Sequence, residues 1–291
     1  MPLTTVDDVR ICFETVGPAD ADPLVLIGGS ATQLIDWRDG LCDLLVTEGF
    51  RVIRFDHRDT GRSQRFGGRR DVDGGYSVQE MSLDVLRVLD TLDLPAAHLV
   101  GHSMGGIMAQ YLALDHPDRV RSLALIGTIP GRDPSYLLGP TPTADQLHPV
   151  RRLPRFLAVR QFVATQRAMH ADAFDFDEAD ERAHARRQLD RGYVPNGFWR
   201  HWSALLRADD RLDRLPTVRV PTVVLHGRED ATLHPRAAEL LADAVPGAEL
   251  HVIDQMGHRL ERDLWPVYVH LVARNARRAG HPDRTAGGTR A

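Results

Sequence analysis

The chain contains no lysine, so its 36 basic residues are all arginine. Without a lysine there is no Walker phosphate loop, which needs Lys followed by Ser or Thr. The arginine bias, with abundant Ala, Asp, Gly and Pro, looks like the codon usage of a GC-rich genome and carries no function. Cysteine is nearly absent. Cys12 and Cys42 stand in separate segments with no CxxC pair, which argues against a disulfide framework or a zinc site and makes a reducing cytoplasm the expected compartment. No apolar run approaches the ~18–20 residues of a membrane span. "MPLTTVDDVR" has neither the basic nor the apolar region of a signal peptide. The formal net charge is only −4, so neither a nucleic-acid nor a membrane-surface partner is expected. The mean hydropathy of −0.28 suits a chain in water.

What is present is a long chain, 291 residues with 43% hydrophobic content, which suits one α/β domain with an insertion better than two equal domains. Short apolar runs alternate with longer amphipathic ones. "PLVLIGG" (23–29), "RVIRFDH" (51–57), "AHLVGH" (97–102), "VRSLALIGT" (120–128), "PTVVLHG" (221–227) and "AELHVID" (248–254) read as buried strands. Helical spacing marks 42–50, 77–94, the segment from Met104, 235–245 and 264–278, and Ser77 with Glu80 has capping-box spacing. Strands alternating with helices predict a mostly parallel sheet covered on both faces. In such sheets ligands bind beyond the carboxyl ends of the strands.

The alternation breaks between Thr128 and Leu215. This stretch opens with Gly and Pro and continues as charge-rich helical sequence. The expected organisation is therefore a core of residues 1–130 and 216–278, a mainly helical cap at 131–215, and a tail at 279–291 with the composition of disorder. The acidic run "DAFDFDEADE" lacks the glycine of a calcium loop and reads as a solvated cap helix.

"HLVGHSMGGIMAQ" (98–110) leaves a strand and enters a helix through three glycines. It could be a nucleotide loop, a plain turn, or a nucleophile elbow. The Rossmann fingerprint does not match, because the spacing is G-x-x-x-G-G and falls late in the strand order. Gly101-His102-Ser103-Met104-Gly105 does match G-x-S-x-G, where a sharp turn displays the serine and crowds the flanking positions. The Met104 amide, at a helix start, can help hold an oxyanion.

A serine nucleophile needs a base and an acid. His258 follows the final strand in "DQMGHRLE", and His57 is its rival in "FDHRD"; His102 and His226 read as strand-end packing. Asp230 follows the preceding strand in "HGRED", with Glu229 and Asp133 as alternatives. The chain order Ser, Asp, His is that of α/β hydrolases. Beyond the first long strand, in "LIGGSATQ", the second oxyanion donor is the amide of Ser30, with Gly29 the alternative. Asp56, Arg58 and Arg62 read as structural, tying strand ends together.

Together "IGGS", "FDHRDTGRS", "GHSMGG", "HGRED" and "MGH" resemble the α/β-hydrolase-fold family along residues 1–278. Asp59, where the family commonly has Gly, and the Gly-Gly before Ser30 resemble its aclacinomycin-type (anthracycline) methyl esterase branch. The resemblance implies Ser103 as nucleophile, Asp230 as acid, His258 as base, Ser30 and Met104 as oxyanion donors, and no metal or cofactor. The expected substrate is an apolar small-molecule ester, with the methyl ester of a bulky secondary metabolite a candidate. A carbon–carbon hydrolase, a lactonase, a perhydrolase or a cofactor-independent tailoring enzyme would use the same triad, and a non-catalytic binding protein is the reading from another class. The insertion is richer in aromatics than the chain's 6%, and Phe156, Phe162, Trp199 and Trp202 are the expected pocket wall, or else the insertion's own core.

Overall fold

A computed structural model describes residues 1–4, 6–139, 142–149 and 152–280. The strands are β1 (Phe13–Val16), β2 (Asp22–Ile27), β3 (Phe50–Phe55), β4 (Ala97–His102), β5 (Val120–Ile126), β6 (Thr222–Gly227) and β7 (Glu249–Ile253). They form one sheet in the order β1-β3-β2-β4-β5-β6-β7, in which only β1 runs antiparallel, against β3. The helices are α1 (Asp39–Thr47), α2 (Val78–Thr91), α3 (Met104–Asp115), α4 (Arg155–Ala168), α5 (Glu178–Gly192), α6 (Gly197–Leu205), α7 (Pro235–Ala244) and α8 (Trp265–Arg277).

The apolar runs are strands because both faces of the sheet are covered. In β2, Val25 and Ile27 join the core shared with α2, α3 and α7, while Leu24 and Leu26 join the core shared with α1 and α8. All four are fully buried. Burial of each such side chain contributes roughly 1.5–3 kcal/mol, so a continuous apolar strand is stable only when both faces are covered. Helix α2 begins as its sequence predicts: the Ser77 hydroxyl accepts from the Glu80 amide (3.1 Å) and the Glu80 carboxylate from the Ser77 amide (2.7 Å). Strand β1 is not evident in the sequence. It is four residues long, at the edge, with only Phe13 buried. Cys12 and Cys42 are free and buried. The expected tail lies outside the described residues from 281 onward.

Between β5 and β6 the chain runs through α4, α5 and α6. Val159, Val163 and Ala185 form a small separate core between α4 and α5, joined by Phe162 and Phe176. Helix α6 is tied to the core by buried charge. Arg200 pairs with Asp59, whose carboxylate also accepts from the Tyr76 hydroxyl (2.7 Å) and the Phe66 amide (3.0 Å). Asp59 has φ +61°, in the left-handed region that favours glycine. Asp59→Gly relieves about 1–2 kcal/mol of backbone cost. It also strips a buried guanidinium of its counter-ion, which costs about 3–5 kcal/mol. The second effect wins. The thermal midpoint of Asp59→Gly is expected to fall by roughly 5 °C; a midpoint equal to or above wild type would show that the strain term dominates.

Asp56 and Arg58 are placed structurally, whereas the Arg62 side chain is exposed. The Asp56 carboxylate accepts from the Leu34 amide (2.8 Å), the Arg62 amide (2.9 Å) and Arg191, and Arg58 makes two hydrogen bonds to buried Asp84 (2.8 and 2.7 Å).

Candidate active site

Four strand ends converge on one point. Ser103 follows β4, Gly28 and Gly29 follow β2, Asp230 lies three residues beyond β6, and His258 lies five beyond β7. These are the carboxyl ends of parallel strands, where α/β sheets place their ligands.

Ser103 has φ +53° and ψ −120°, a conformation that L residues rarely adopt and that costs about 1–3 kcal/mol. The surroundings enforce it. Its amide donates to the Ile126 carbonyl of β5 (3.0 Å), and its own carbonyl accepts from the Gly106 amide (2.9 Å) and the Thr128 hydroxyl (2.8 Å). The flanking glycines answer a need for space. A Cβ on Gly105 would lie 2.1 Å from the Ile27 carbonyl oxygen of β2, and one on Gly101 would lie 2.5 Å from the Gly105 carbonyl oxygen. Any side chain at either position would push α3 off the sheet.

The expected partners meet. His258 Nδ1–H donates to Asp230 Oδ2 (2.7 Å), which leaves Nε2 bare to accept from the Ser103 hydroxyl across 3.3 Å. The other Asp230 oxygen accepts from the Thr232 (2.7 Å) and Leu233 (2.8 Å) amides. Burial pushes the Asp230 pKa up, but the His258 contact and the two amides outweigh it, and the carboxyl stays below its ordinary value.

The rivals are accounted for elsewhere. Glu229 is exposed and accepts from the Asp172 amide, and Asp133 caps an exposed 3-10 turn. His57 is buried, bonded to the Gly28 carbonyl (2.9 Å). His226 is buried, bonded to the Leu233 carbonyl (3.1 Å) and 3.7 Å from Asp230. His102 donates from Nε2 to the His258 backbone carbonyl (2.7 Å) and so helps hold that loop.

The oxyanion candidates lie beside the serine. Met104 is the first residue of α3, so its amide has no carbonyl one turn back. A Cβ on Gly29 would lie 3.3 Å from Ser103 Cβ, and the Ser30 hydroxyl donates to Met104 Sδ (3.5 Å).

A cavity of about 200 Å³ borders Gly28, Gly29, His102 and His258. Of the four aromatics expected in the pocket wall, only Phe162 borders it. Phe156 is 69% exposed on the outer face of α4, which packs inward through Ala158, Val159 and Val163. Trp199 and Trp202 pack with Phe198 on α6, and the Trp202 indole N–H donates to the Pro142 carbonyl (2.9 Å). The wall combines apolar side chains, among them Trp37, Met169, Phe176 and Trp265, with charged ones. Buried Glu181 accepts from Arg38 (2.9 Å) and from Arg259 (2.8 Å), the residue after His258. The acidic run is solvated as expected at Asp172, Asp175 and Asp177, the last of which caps α5, and only its final residue, Glu181, turns inward. The signal was present in Glu181, His184, Ala185 and Gln188, at the spacing of one helix face. Among the described residues, no group of three or more His, Cys, Asp or Glu could hold a metal ion, and no helix is long and apolar enough to cross a membrane.

Several buried histidines stay neutral. Burial, then the charge of His258, pushes His102 down to about 4; burial, then His57, pushes His201 down to about 3. The unfolded chain protonates these imidazoles near their ordinary 6.5 and the folded chain only below those values. Their contribution to stability is therefore complete above pH 6.5 and is lost as pH falls toward 4 and then 3. The urea midpoint is expected to be lower at pH 5 than at pH 7; an equal or higher midpoint at pH 5 would contradict this.

A mostly parallel sheet with its polar cluster at the strand ends, and a serine on a glycine-flanked strand-to-helix turn, defines an α/β hydrolase. The model of that family, described as the alpha/beta hydrolase fold, matches residues 22–260, and the chain belongs to it. It is 32% identical to the rhodomycin D methylesterase of Streptomyces sp. (strain C5), over 92% of this chain and 93% of that one. It is also 32% identical to a provisionally assigned carbamate hydrolase of Variovorax paradoxus (strain S110), over 84% and 88%. Among solved structures it is similar to the enol-lactonase of Burkholderia xenovorans LB400, with a TM-score of 0.73, 23% identity, and 94% and 99% of the two chains covered. At that identity the likeness speaks for the fold.

Proposed function

We propose that this chain is a serine hydrolase that cleaves a carboxylic ester through Ser103, His258 and Asp230. The observation that carries the reading is His258, held between Asp230 at 2.7 Å and Ser103 at 3.3 Å, with its two nitrogens in opposite roles. A reach of 3.3 Å is slightly long, as is common before substrate binds.

In this reading His258 Nε2 takes the proton from Ser103 Oγ as the oxygen attacks the ester carbonyl. The amides of Met104 and of Ser30, or Gly29, stabilise the tetrahedral oxyanion. His258 then returns the proton to the departing alkoxide, leaving an acyl group on Ser103. Water, deprotonated by the same imidazole, hydrolyses that acyl-enzyme and frees the acid. Asp230 holds the tautomer and favours the transient imidazolium. We further infer that residues 131–215 act as a cap that sets substrate choice, because Phe162 and Glu181 bring it to the cavity beside His258. The similarity to a methylesterase favours the methyl ester of a bulky secondary metabolite as substrate.

Turnover of p-nitrophenyl acetate, with labelling of Ser103 by a fluorophosphonate, tests the reaction class. A chain inert across an ester panel and unlabelled at Ser103 would favour a binding protein instead. Comparing an aromatic polyketide methyl ester with short acyl esters tests the substrate class, and a strong preference for short acyl chains would sink the bulky-substrate reading.

A further inference from the structure

We propose that His201, on α6 of the insertion, is a positioning residue for the oxyanion turn, acting through the backbone of Ala31; this rests on the serine hydrolase reading above. The turn from Gly28 to Thr32 is pinned nearly residue by residue. The Gly28 carbonyl accepts from His57 (2.9 Å), the Gly29 carbonyl from the Thr32 hydroxyl (2.8 Å) and amide (3.4 Å), and the Thr32 carbonyl from the Thr60 hydroxyl (3.0 Å). The remaining anchor comes from 170 residues away: the Ala31 amide donates to His201 Nδ1 (2.9 Å).

That anchor acts where the backbone most needs one. Ala31 has φ +60°, which costs a residue with a Cβ about 1–2 kcal/mol. The Ser30 amide shares a planar trans peptide with the Gly29 carbonyl, so Thr32, by holding that carbonyl, turns the amide the opposite way. The next peptide plane, between Ser30 and Ala31, is held by His201. Fixing both planes fixes Ser30, and among the described residues no hydrogen bond uses its amide.

His201 is itself held for this role. It is fully buried, its ring packs edge-on against His57 at 5.7 Å, and its Nε2–H donates to the Arg58 carbonyl (2.8 Å). A proton on Nε2 leaves Nδ1 as the acceptor that Ala31 requires. Burial keeps the ring neutral down to about pH 3, so the acceptor persists at working pH. The neighbouring Arg200, paired with Asp59, fixes α6 in place.

Two substitutions separate positioning from simple packing. In His201→Asn the amide oxygen falls where Nδ1 stood, keeping the Ala31 contact and losing that to Arg58. In His201→Gln the amide reaches toward Arg58 and the Ala31 contact is lost. With p-nitrophenyl acetate as probe, His201→Gln is expected to lose about 10- to 100-fold in kcat, the effect of a misdirected oxyanion donor, with KM changed less than about 3-fold. Its affinity for a trifluoromethyl ketone should fall in parallel. His201→Asn should recover kcat to within a few-fold of wild type even if it is the less stable of the two. The inference is overturned if His201→Gln keeps wild-type kcat, or if folded His201→Asn loses as much kcat as its stability loss would rank it. Wild type that leaves Ser103 unlabelled by the fluorophosphonate overturns the hydrolase reading itself, and this inference with it.

Discussion

Ser103→Ala is expected to lower kcat for p-nitrophenyl acetate by roughly 10⁴–10⁶-fold while leaving the thermal midpoint within about 1 °C of wild type, because removal of a triad nucleophile deletes the covalent path and leaves only binding and oxyanion stabilisation. The structure says why the fold should survive. The elbow is held by the Ser103 amide and carbonyl, through Ile126, Gly106 and Thr128, and not by its hydroxyl. Alanine bears the same φ penalty as serine, so the strain is unchanged. The hydroxyl's hydrogen bond is to His258. His258→Ala should cost about as much as Ser103→Ala, and the double variant little more, since the two act as a unit. Activity in Ser103→Ala above about a tenth of wild type would move the nucleophile elsewhere.

Asp230→Asn should cost about 10⁴-fold in kcat with little change in KM. The reason is a tautomer. One Asp230 oxygen accepts from the Thr232 and Leu233 amides and the other from His258 Nδ1–H. Asparagine can keep its oxygen only where two backbone N–H groups point, so its NH₂ must face His258. The imidazole then accepts at Nδ1 and carries its proton on Nε2, directed at Ser103, where it cannot act as a base. The pH dependence tests this. Relative to wild type, Asp230→Asn should gain rate at high pH, where hydroxide substitutes for the base. A loss below 10-fold would mean that another group orients His258 instead.

These two predictions depend on different kinds of information. The elbow was legible in "GHSMGG" because each constraint is local: a strand end, a sharp turn, and neighbours too close for a Cβ. The strands β2 to β7 were legible for a similar reason, since a run of residues such as "PLVLI" has no stable place except between two covering layers. Strand β1 was not, because four edge residues with one buried side chain leave almost no pattern. The sequence left the aromatics of the insertion between pocket wall and internal core, because aromatic content shows that a segment has apolar surface to bury, not which side it buries. Phe162 turned toward the cavity, Trp199 and Trp202 packed with Phe198, and Phe156 faced outward.

By itself the sequence determined the alternating α/β architecture, the break in that alternation after Thr128, and a short set of strand-end residues, all of which follow from periodicity and turn sterics within a few residues. Choosing among those residues required distances across the chain. Asp230, rather than exposed Glu229, meets His258, and His258, rather than His57, meets Ser103, through contacts of 2.7 and 3.3 Å that close loops of 28 and 155 residues. The charged part of the wall, Glu181 with Arg38 and Arg259, and the hold of His201 on Ala31 belong to the same category. A hydrogen bond forms only within about 3.5 Å and leaves no periodic trace in the chain, so only the tertiary structure could decide which polar residues meet.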